Sequence, residues 1–282
     1  MTIREAIANA ITTLSGIYTN GEAEAISSWL VENLTGIRRI ERAGNTTILN
    51  DQQQTRLFAL LERLLQHEPI QYVLNESWFL GFKFYVDKRV LIPRPETEEL
   101  VEWIITDCKF PIDQLSILDI GTGSGCIPVS LKRRLGKAEV TSVDISVDAL
   151  EVAKKNAKDL GVSVQFHELD FLDPGARGTL GKYDVIVSNP PYIPVLDKTG
   201  MHQNVLNYEP PLALFVPDED PLIFYKALAE FGVTHLADGG AIYMELYETH
   251  GHATAQLFQE KGYKIFLKPD MQGKDRMLRA GR

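Results

Sequence analysis

Thiols are scarce in this chain. Two cysteines, Cys108 and Cys126, stand among 282 residues, far apart and in no CxxC spacing. That argues against a disulfide framework and a thiolate zinc site, and it fits a reducing compartment. Long apolar runs are missing too. No stretch approaches the ~20 apolar residues of a membrane span. The opening "MTIREAIANAITTL" carries charges where a secretory signal needs an apolar run. Lysine and arginine number 29 against 38 acids, for a formal net charge of −9 and a pI near 5.2. Broad, charge-driven binding of nucleic acid needs an excess of cations and is not expected, although a local basic patch stays open. The six histidines are scattered. "HGH" at His250 to His252 has no acidic or thiol ligand clustered with it and reads as a polar helix start, so no metal is expected. No internal repeat or low-complexity segment is visible.

What remains is an ordinary globular composition, 44% hydrophobic and 24% charged, on a chain long enough for one large or two modest domains. Up to about residue 75 the pattern is helical. "IREAIANAITTL", "GEAEAISSWLVENLTG" and "DQQQTRLFALLERLLQHEP" space their apolar residues three and four apart, with Asn20-Gly21 and Gly44-Asn45 as breaks. Leu57, Leu60, Leu61, Leu64 and Leu65 form one stripe, expected to be a small bundle core, and Pro69 is expected to end that helix. "WFLGFKFYVDKRVLI" reads as a β-hairpin or connector. "PRPETEELVEWII" then begins a helix, with Pro95 near its start and acids in its first turn.

From about residue 116 strands and helices alternate. The expected strands are "SILDI", "AEVTSVDI", "VSVQFHEL", "YDVIVSN" and "AIYMELY". One helix is capped by Ser146 and buries Val147, Leu150, Ala153, Ala157 and Leu160; another is capped by Asp220 with Pro221 at its first position. Such alternation predicts a mostly parallel sheet covered on both faces. "YKIFLKPDMQGKDRMLRAG" closes the chain as an antiparallel hairpin on one edge.

Two motifs carry chemistry. In "LDIGTGSGC", Asp119 ends a strand and Gly121, Thr122, Gly123, Ser124 and Gly125 open the next helix. Glycines there let a cofactor lie against the backbone, and the helix start can meet a carboxylate. Asp144, at the end of the next strand, suits a ribose diol. The second motif, "SNPPYI", follows the fourth strand. A sheet order that reverses between the first and fourth strands would bring both motifs to one crevice. Pro190 holds Asn189 extended, and neither Pro190 nor Pro191 has an N–H. The Asn189 side-chain oxygen and the Pro190 carbonyl oxygen are then two fixed acceptors, which match the two hydrogens of a planar NH₂ group. Tyr192 can stack on that group. Transfer of a sulfonium methyl to such a nitrogen would rest on positioning and electrostatics.

These motifs resemble the class I, S-adenosylmethionine-dependent methyltransferases that act on planar NH₂ groups. "LIPRPETEELV", "SNPPYIP" and "YEPPLALF", with the helical N-terminal region, narrow the resemblance to the HemK/PrmC family over essentially the whole chain. The resemblance implies an α/β, Rossmann-like fold: a seven-stranded, mostly parallel sheet with an antiparallel C-terminal hairpin, plus a small N-terminal helical bundle. It implies a docking domain over 1–75, a hairpin or linker over 76–95 and a methyltransferase domain over 96–282. It also implies methylation of the GGQ glutamine of peptide-chain release factors from S-adenosylmethionine, which leaves S-adenosylhomocysteine, in the cytoplasm and as a monomer. Carried over by motif, Asp119, Gly121 to Gly125, Asp144, Phe171 and Asn189 would hold the cofactor. Asn189, Pro190, Pro191 and Tyr192 would clamp the substrate. Arg94 and Glu96, and Glu209 with Pro210, are expected near the pocket, either touching substrate or bracing structure. An adenine N6-methyltransferase acting on DNA or RNA would use the same clamp on a base and stays as the alternative.

Overall fold

A computed structural model describes residues 1–107 and 114–282; Cys108 lies outside them. The chain divides into two compact units, Met1–Glu76 with His202–Tyr208, and Ser77–Met201 with Glu209–Arg282.

The first unit is helical. It holds α1 (Ile3–Leu14), α2 (Asn20–Thr35), α3 (Asp51–Leu65), α4 (Ile70–Leu74) and, from later in the chain, α9 (Gln203–Tyr208). Each of the three long helices opens with a capping box: Thr2 with Glu5, Thr19 with Glu22, Asn50 with Gln53. The reciprocal bonds satisfy N–H groups that a helix start leaves without partners. The core joins Ile3, Ala6, Ala10 and Leu14 to Leu30, Val31, Leu57, Leu61 and Leu64. Leu65 points outward at 39% exposure and is not part of the stripe expected of it. Two boundaries also differ. Asn20 and Gly21 start α2 because Thr19 is its cap. The third helix stops at Leu65, before Pro69, which instead precedes α4. Tyr208 donates from its hydroxyl to the Gln66 carbonyl at 2.7 Å, which ties α9 into this unit.

The second unit begins with a hairpin, β1 (Ser77–Phe79) and β2 (Phe82–Phe84), whose Phe79 and Phe84 pack into the unit's core. It continues through α5 (Pro95–Asp107), β3 (Ser116–Ile120), α6 (Cys126–Leu135), β4 (Glu139–Asp144), α7 (Val147–Asp159), β5 (Gln165–Glu168), α8 (Pro174–Arg177) and β6 (Tyr183–Ser188). A short parallel pair, β7 (Ile193–Pro194) and β8 (Phe215–Val216), follows. Then come α10 (Ile223–His235), β9 (Leu236–Glu245), α11 (Gly251–Glu260), β10 (Lys264–Pro269) and β11 (Asp275–Gly281). The large sheet has seven strands in the order β10-β11-β9-β6-β3-β4-β5. Only the pairings of β11 with β9 and β10 are antiparallel.

Both faces of the sheet are covered, so adjacent strand residues are both apolar and part company by face. Ile117, Val185, Ala241, Tyr243 and Met277 join the core beneath α5 and α6. Their neighbours Leu118, Ile186, Ile242, Met244 and Leu278 join the core beneath α10 and α11. Ser146 caps α7 as expected, its hydroxyl accepting from Ala149 N–H, yet Val147 is half exposed. The helix expected to start at Pro221 starts at Ile223, and Asp220 pairs with Lys226 instead of capping it. Strand order reverses between β3 and β6, so the ends of these adjacent strands open a crevice.

Candidate active site

The glycine loop leaves β3 at Ile120 and turns back on itself. Gly121 (φ 84°) and Gly123 (φ 52°) take the left-handed backbone that other residues avoid. The N–H groups of Gly121 and Thr122 both donate to the Val143 carbonyl, at 2.9 and 3.2 Å, which pins the loop to the end of β4. Asp144 finishes the job: one carboxylate oxygen accepts from Gly123 N–H and the other from Ser146 N–H, each at 2.9 Å. Burial raises its pKa above the ordinary value.

Asp119 lies beneath this loop and is fully buried. Ser142 donates to its Oδ2 at 2.6 Å; with that proton spent, Thr122 must donate to the Ser142 oxygen. Asp119 Oδ1 has no partner. Burial pushes this carboxyl up to about 7, against the hydrogen bond from Ser142.

The second motif is tied to the first at the neighbouring strand end. Ser188 donates from its hydroxyl to the Ile120 carbonyl at 2.7 Å. A Cβ placed on Gly121 would lie 3.7 Å from the Asn189 carbonyl oxygen. The Asn189 side chain is held from α5 and β9. Its Nδ2 donates to Thr97 Oγ1 at 3.0 Å. Thr97 in turn donates to Glu245 Oε2 at 2.7 Å, and the Tyr192 hydroxyl donates to Glu245 Oε1 at 2.8 Å. Glu245 is buried, and burial raises its pKa. Burial, then the charge of Glu245, sets the Tyr192 hydroxyl well above its ordinary value. The Tyr192 ring stacks on Tyr247, centroids 5.8 Å apart.

One cavity of about 240 Å³ joins the two motifs. Of the residues singled out from sequence, Gly121, Thr122, Gly123, Ser124, Asp144, Phe171, Asn189, Pro190, Pro191 and Arg94 line it, as does Pro210. The structure places Asp119, Gly125, Tyr192, Glu96 and Glu209 outside that lining. Each has a physical reason. Asp119 braces the loop from below. Gly125 faces α7, where a Cβ would come within 3.0 Å of Ala153 Cβ. Tyr192 has its hydroxyl on Glu245 and its ring on Tyr247. Glu209 accepts from Arg94 at 2.6 Å and from Ile92 N–H at 3.2 Å, so the Arg94 charge is already paired. Glu96 is half-buried and adds negative field at Glu245.

Among the residues that sequence reasoning did not single out are Thr97, which lines the cavity, and Glu245 behind it. Thr97 sits inside the "PRPETEE" segment, and Glu245 is an acid in the otherwise apolar "AIYMELY". The second was a readable signal, because a carboxylate in a buried strand needs partners. Cys126 also lines the cavity, but burial pushes its thiol up to about 12, so it offers no thiolate. Among the described residues no group of three or more His, Cys, Asp or Glu is gathered to hold a metal, and no helix is long and apolar enough to cross a membrane.

Comparison with known proteins adds identity to this geometry. The family model described as the Methyltransferase small domain matches residues 99–207, and that of the PrmC N-terminal domain matches residues 5–74. The chain is 42% identical over 273 residues to a release factor glutamine methyltransferase of Bacteroides thetaiotaomicron, covering 96% of each. It is 40% identical over 274 residues to the protein of that name from Flavobacterium psychrophilum, covering 96% of this chain and 95% of the other. Solved structures agree on the fold. A Pyrococcus furiosus methyltransferase aligns with TM-score 0.52 at 17% identity, over 82% of this chain and 98% of that one. The hMettl16 catalytic domain, in complex with MAT2A 3′UTR hairpin 6, aligns with TM-score 0.54 at 16% identity, over 82% of this chain and 81% of that one.

Proposed function

The chain belongs to the family of release factor glutamine methyltransferases, and we propose that it methylates the side-chain amide nitrogen of the GGQ glutamine in peptide-chain release factors, using S-adenosylmethionine. The observation that carries this reading is the orientation of Asn189. Because Nδ2 is committed to Thr97, Oδ1 is the end left to accept from a substrate.

The residues fit the cofactor. Gly121 and Gly123 leave the loop without side chains where it lines the cavity. Asp144 uses one lone pair on each oxygen for backbone N–H groups and keeps others for a diol. Phe171 offers a flat apolar ring, held edge-on by Phe231 with centroids 5.3 Å apart. When bound, S-adenosylmethionine supplies an electrophilic methyl group on a sulfonium.

The chain's own residues handle the nucleophile. An amide nitrogen is weakly nucleophilic because its lone pair is delocalised into the carbonyl. Asn189 Oδ1 and the Pro190 carbonyl oxygen would accept its two hydrogens, fix its direction and favour electron density on nitrogen as the new bond forms. Three of the neighbouring carboxylates are engaged. Glu245 takes two hydroxyls, Glu209 takes Arg94 and Ile92 N–H, and Asp144 takes two backbone N–H groups. None is presented as a free base. After methyl transfer the nitrogen is strongly acidic, so its proton would leave to solvent without a dedicated base.

The first unit would dock the release factor and the second would carry the chemistry, in the bacterial cytoplasm where termination occurs. The match of the PrmC N-terminal domain to residues 5–74 supports that division. So does the cavity, whose lining comes from the second unit. The test is mass spectrometry of a bacterial release factor incubated with the protein and S-adenosylmethionine, with an adenine-containing DNA oligomer in parallel. One added methyl on the GGQ glutamine is expected. A methyl on adenine, with none on the release factor, would overturn the substrate reading.

A further inference from the structure

We infer that Thr97 and Glu245 are positioning residues that decide which end of the Asn189 amide faces the substrate, and so make the site select a primary amide over a carboxylate. This rests on the functional reading above and deepens it.

The supply of protons fixes the direction of the Asn189 amide. Glu245 takes one hydroxyl on each oxygen, from Thr97 at 2.7 Å and Tyr192 at 2.8 Å; the two hydrogen bonds favour the ionised form against the burial that opposes it, and an ionised carboxylate only accepts. The Thr97 hydroxyl has one proton, and Glu245 consumes it. Toward Asn189 it can therefore only accept. The Asn189 amide must turn its NH₂ to Thr97, as it does at 3.0 Å, and its oxygen away. Three side chains from α5, β9 and the segment after β6 thus form one directional chain, Asn189 to Thr97 to Glu245.

Direction matters because Asn is nearly symmetric in shape and opposite in chemistry at its two ends. With Oδ1 forward, Asn189 and the Pro190 carbonyl form a pair of acceptors. A glutamine NH₂ satisfies both. A glutamate carboxylate has no hydrogen to give either and would sit against two oxygens, a repulsive arrangement that discriminates more than a missing contact does. With the amide reversed, Nδ2 would face the substrate and the acid would be accommodated. Glu245→Gln permits that reversal. Its Nε2 can donate to Thr97, whose proton then turns to Asn189 and calls for an acceptor there. Thr97→Val removes the anchor altogether.

The readout is the ratio of two affinities, measured by calorimetry on the full chain with S-adenosylhomocysteine present so that no turnover occurs. The probes are an intact release factor and the same factor with the GGQ glutamine replaced by glutamate. The native protein is expected to favour glutamine by at least about tenfold. Thr97→Val and Glu245→Gln should bring the ratio close to one. Thr97→Ser, which keeps the hydroxyl, should restore it. A merely structural role would weaken both affinities by the same factor and leave the ratio unchanged, and that result in both variants would overturn the relay while leaving the functional reading intact. A native protein with no preference for glutamine would overturn the amide reading itself.

Discussion

Gly121 and Gly125 are two turns of one loop, both at positive φ, and the structure gives them different work. Replacing each with alanine separates the two roles. At Gly125 (φ 80°) the new methyl would stand 3.0 Å from Ala153 Cβ and 3.1 Å from Ala153 Cα, with the α7 backbone behind them. Left-handed backbone costs an alanine about 1–2 kcal/mol. Over-packing against a helix adds about 1–3 kcal/mol. Gly125→Ala should therefore lose about 2–5 kcal/mol, a fall in Tm of roughly 5–15 °C for a unit of this size. At Gly121 (φ 84°) the nearest atom to the methyl is the Asn189 carbonyl oxygen at 3.7 Å, an ordinary contact, so only the backbone term applies. Gly121→Ala should cost about 1–2 kcal/mol of stability. It should lose far more in cofactor affinity, since its methyl enters the cavity lining. Thermal melts followed by circular dichroism, with calorimetric titration of S-adenosylmethionine at a temperature where both variants are folded, measure the two effects. A Gly125→Ala protein that melts within about 2 °C of the native one would refute the packing argument. So would a Gly121→Ala protein with native cofactor affinity, for the cavity argument.

Three further outcomes follow from single side chains. The Asp119 carboxyl is raised from the ordinary value of 3.8 to about 7, so its contribution to stability is fully present below about pH 4 and is lost as pH rises through 7. Asp119→Asn removes that titration, and the stability difference between native and variant should shift by about 2–3 kcal/mol between pH 5 and 8.5 in urea unfolding; a constant difference would count against it. Asp144→Asn leaves one oxygen to serve the N–H groups of Gly123 and Ser146, and should weaken S-adenosylmethionine binding by roughly 10- to 100-fold in calorimetry. In the first unit, Leu64→Ala should cost about 2–5 kcal/mol, whereas Leu65→Ala, at an exposed site, should stay within about 0.5 kcal/mol in the same denaturation assay.

The fold was legible wherever local pattern and tertiary packing agree. Adjacent apolar pairs such as Ile117-Leu118 and Val185-Ile186 mark strands buried on both faces, and three- and four-residue spacing marks α1, α2 and α3. Boundaries failed where a cap outranked a break. Thr19 recruits Asn20 and Gly21 into a helix that their composition argues against. Leu65 and Val147 failed because periodicity gives a stripe but not its edges. At the site, strand-end position was enough to bring the glycine loop and "NPP" to one cavity, since both follow from strand order. The inner supports were not legible. Thr97 lies 92 residues from Asn189 in sequence, and only the packing of α5 against the sheet brings the two to 3.0 Å. Asp119 and Gly125 sit in the motif but serve the scaffold, because a loop that cradles a ligand must itself be held.

The central claim is that Asn189 positions the reacting amide and does little to hold the cofactor. Single-turnover methyl transfer to a release factor by Asn189→Ala, with S-adenosylmethionine affinity measured on the same preparation, tests it most directly. The rate should fall by about 10²–10³-fold, the scale of one lost transition-state hydrogen bond, while cofactor affinity stays within a few-fold of native. A native rate, or a loss of rate matched by an equal loss of cofactor affinity, would contradict it.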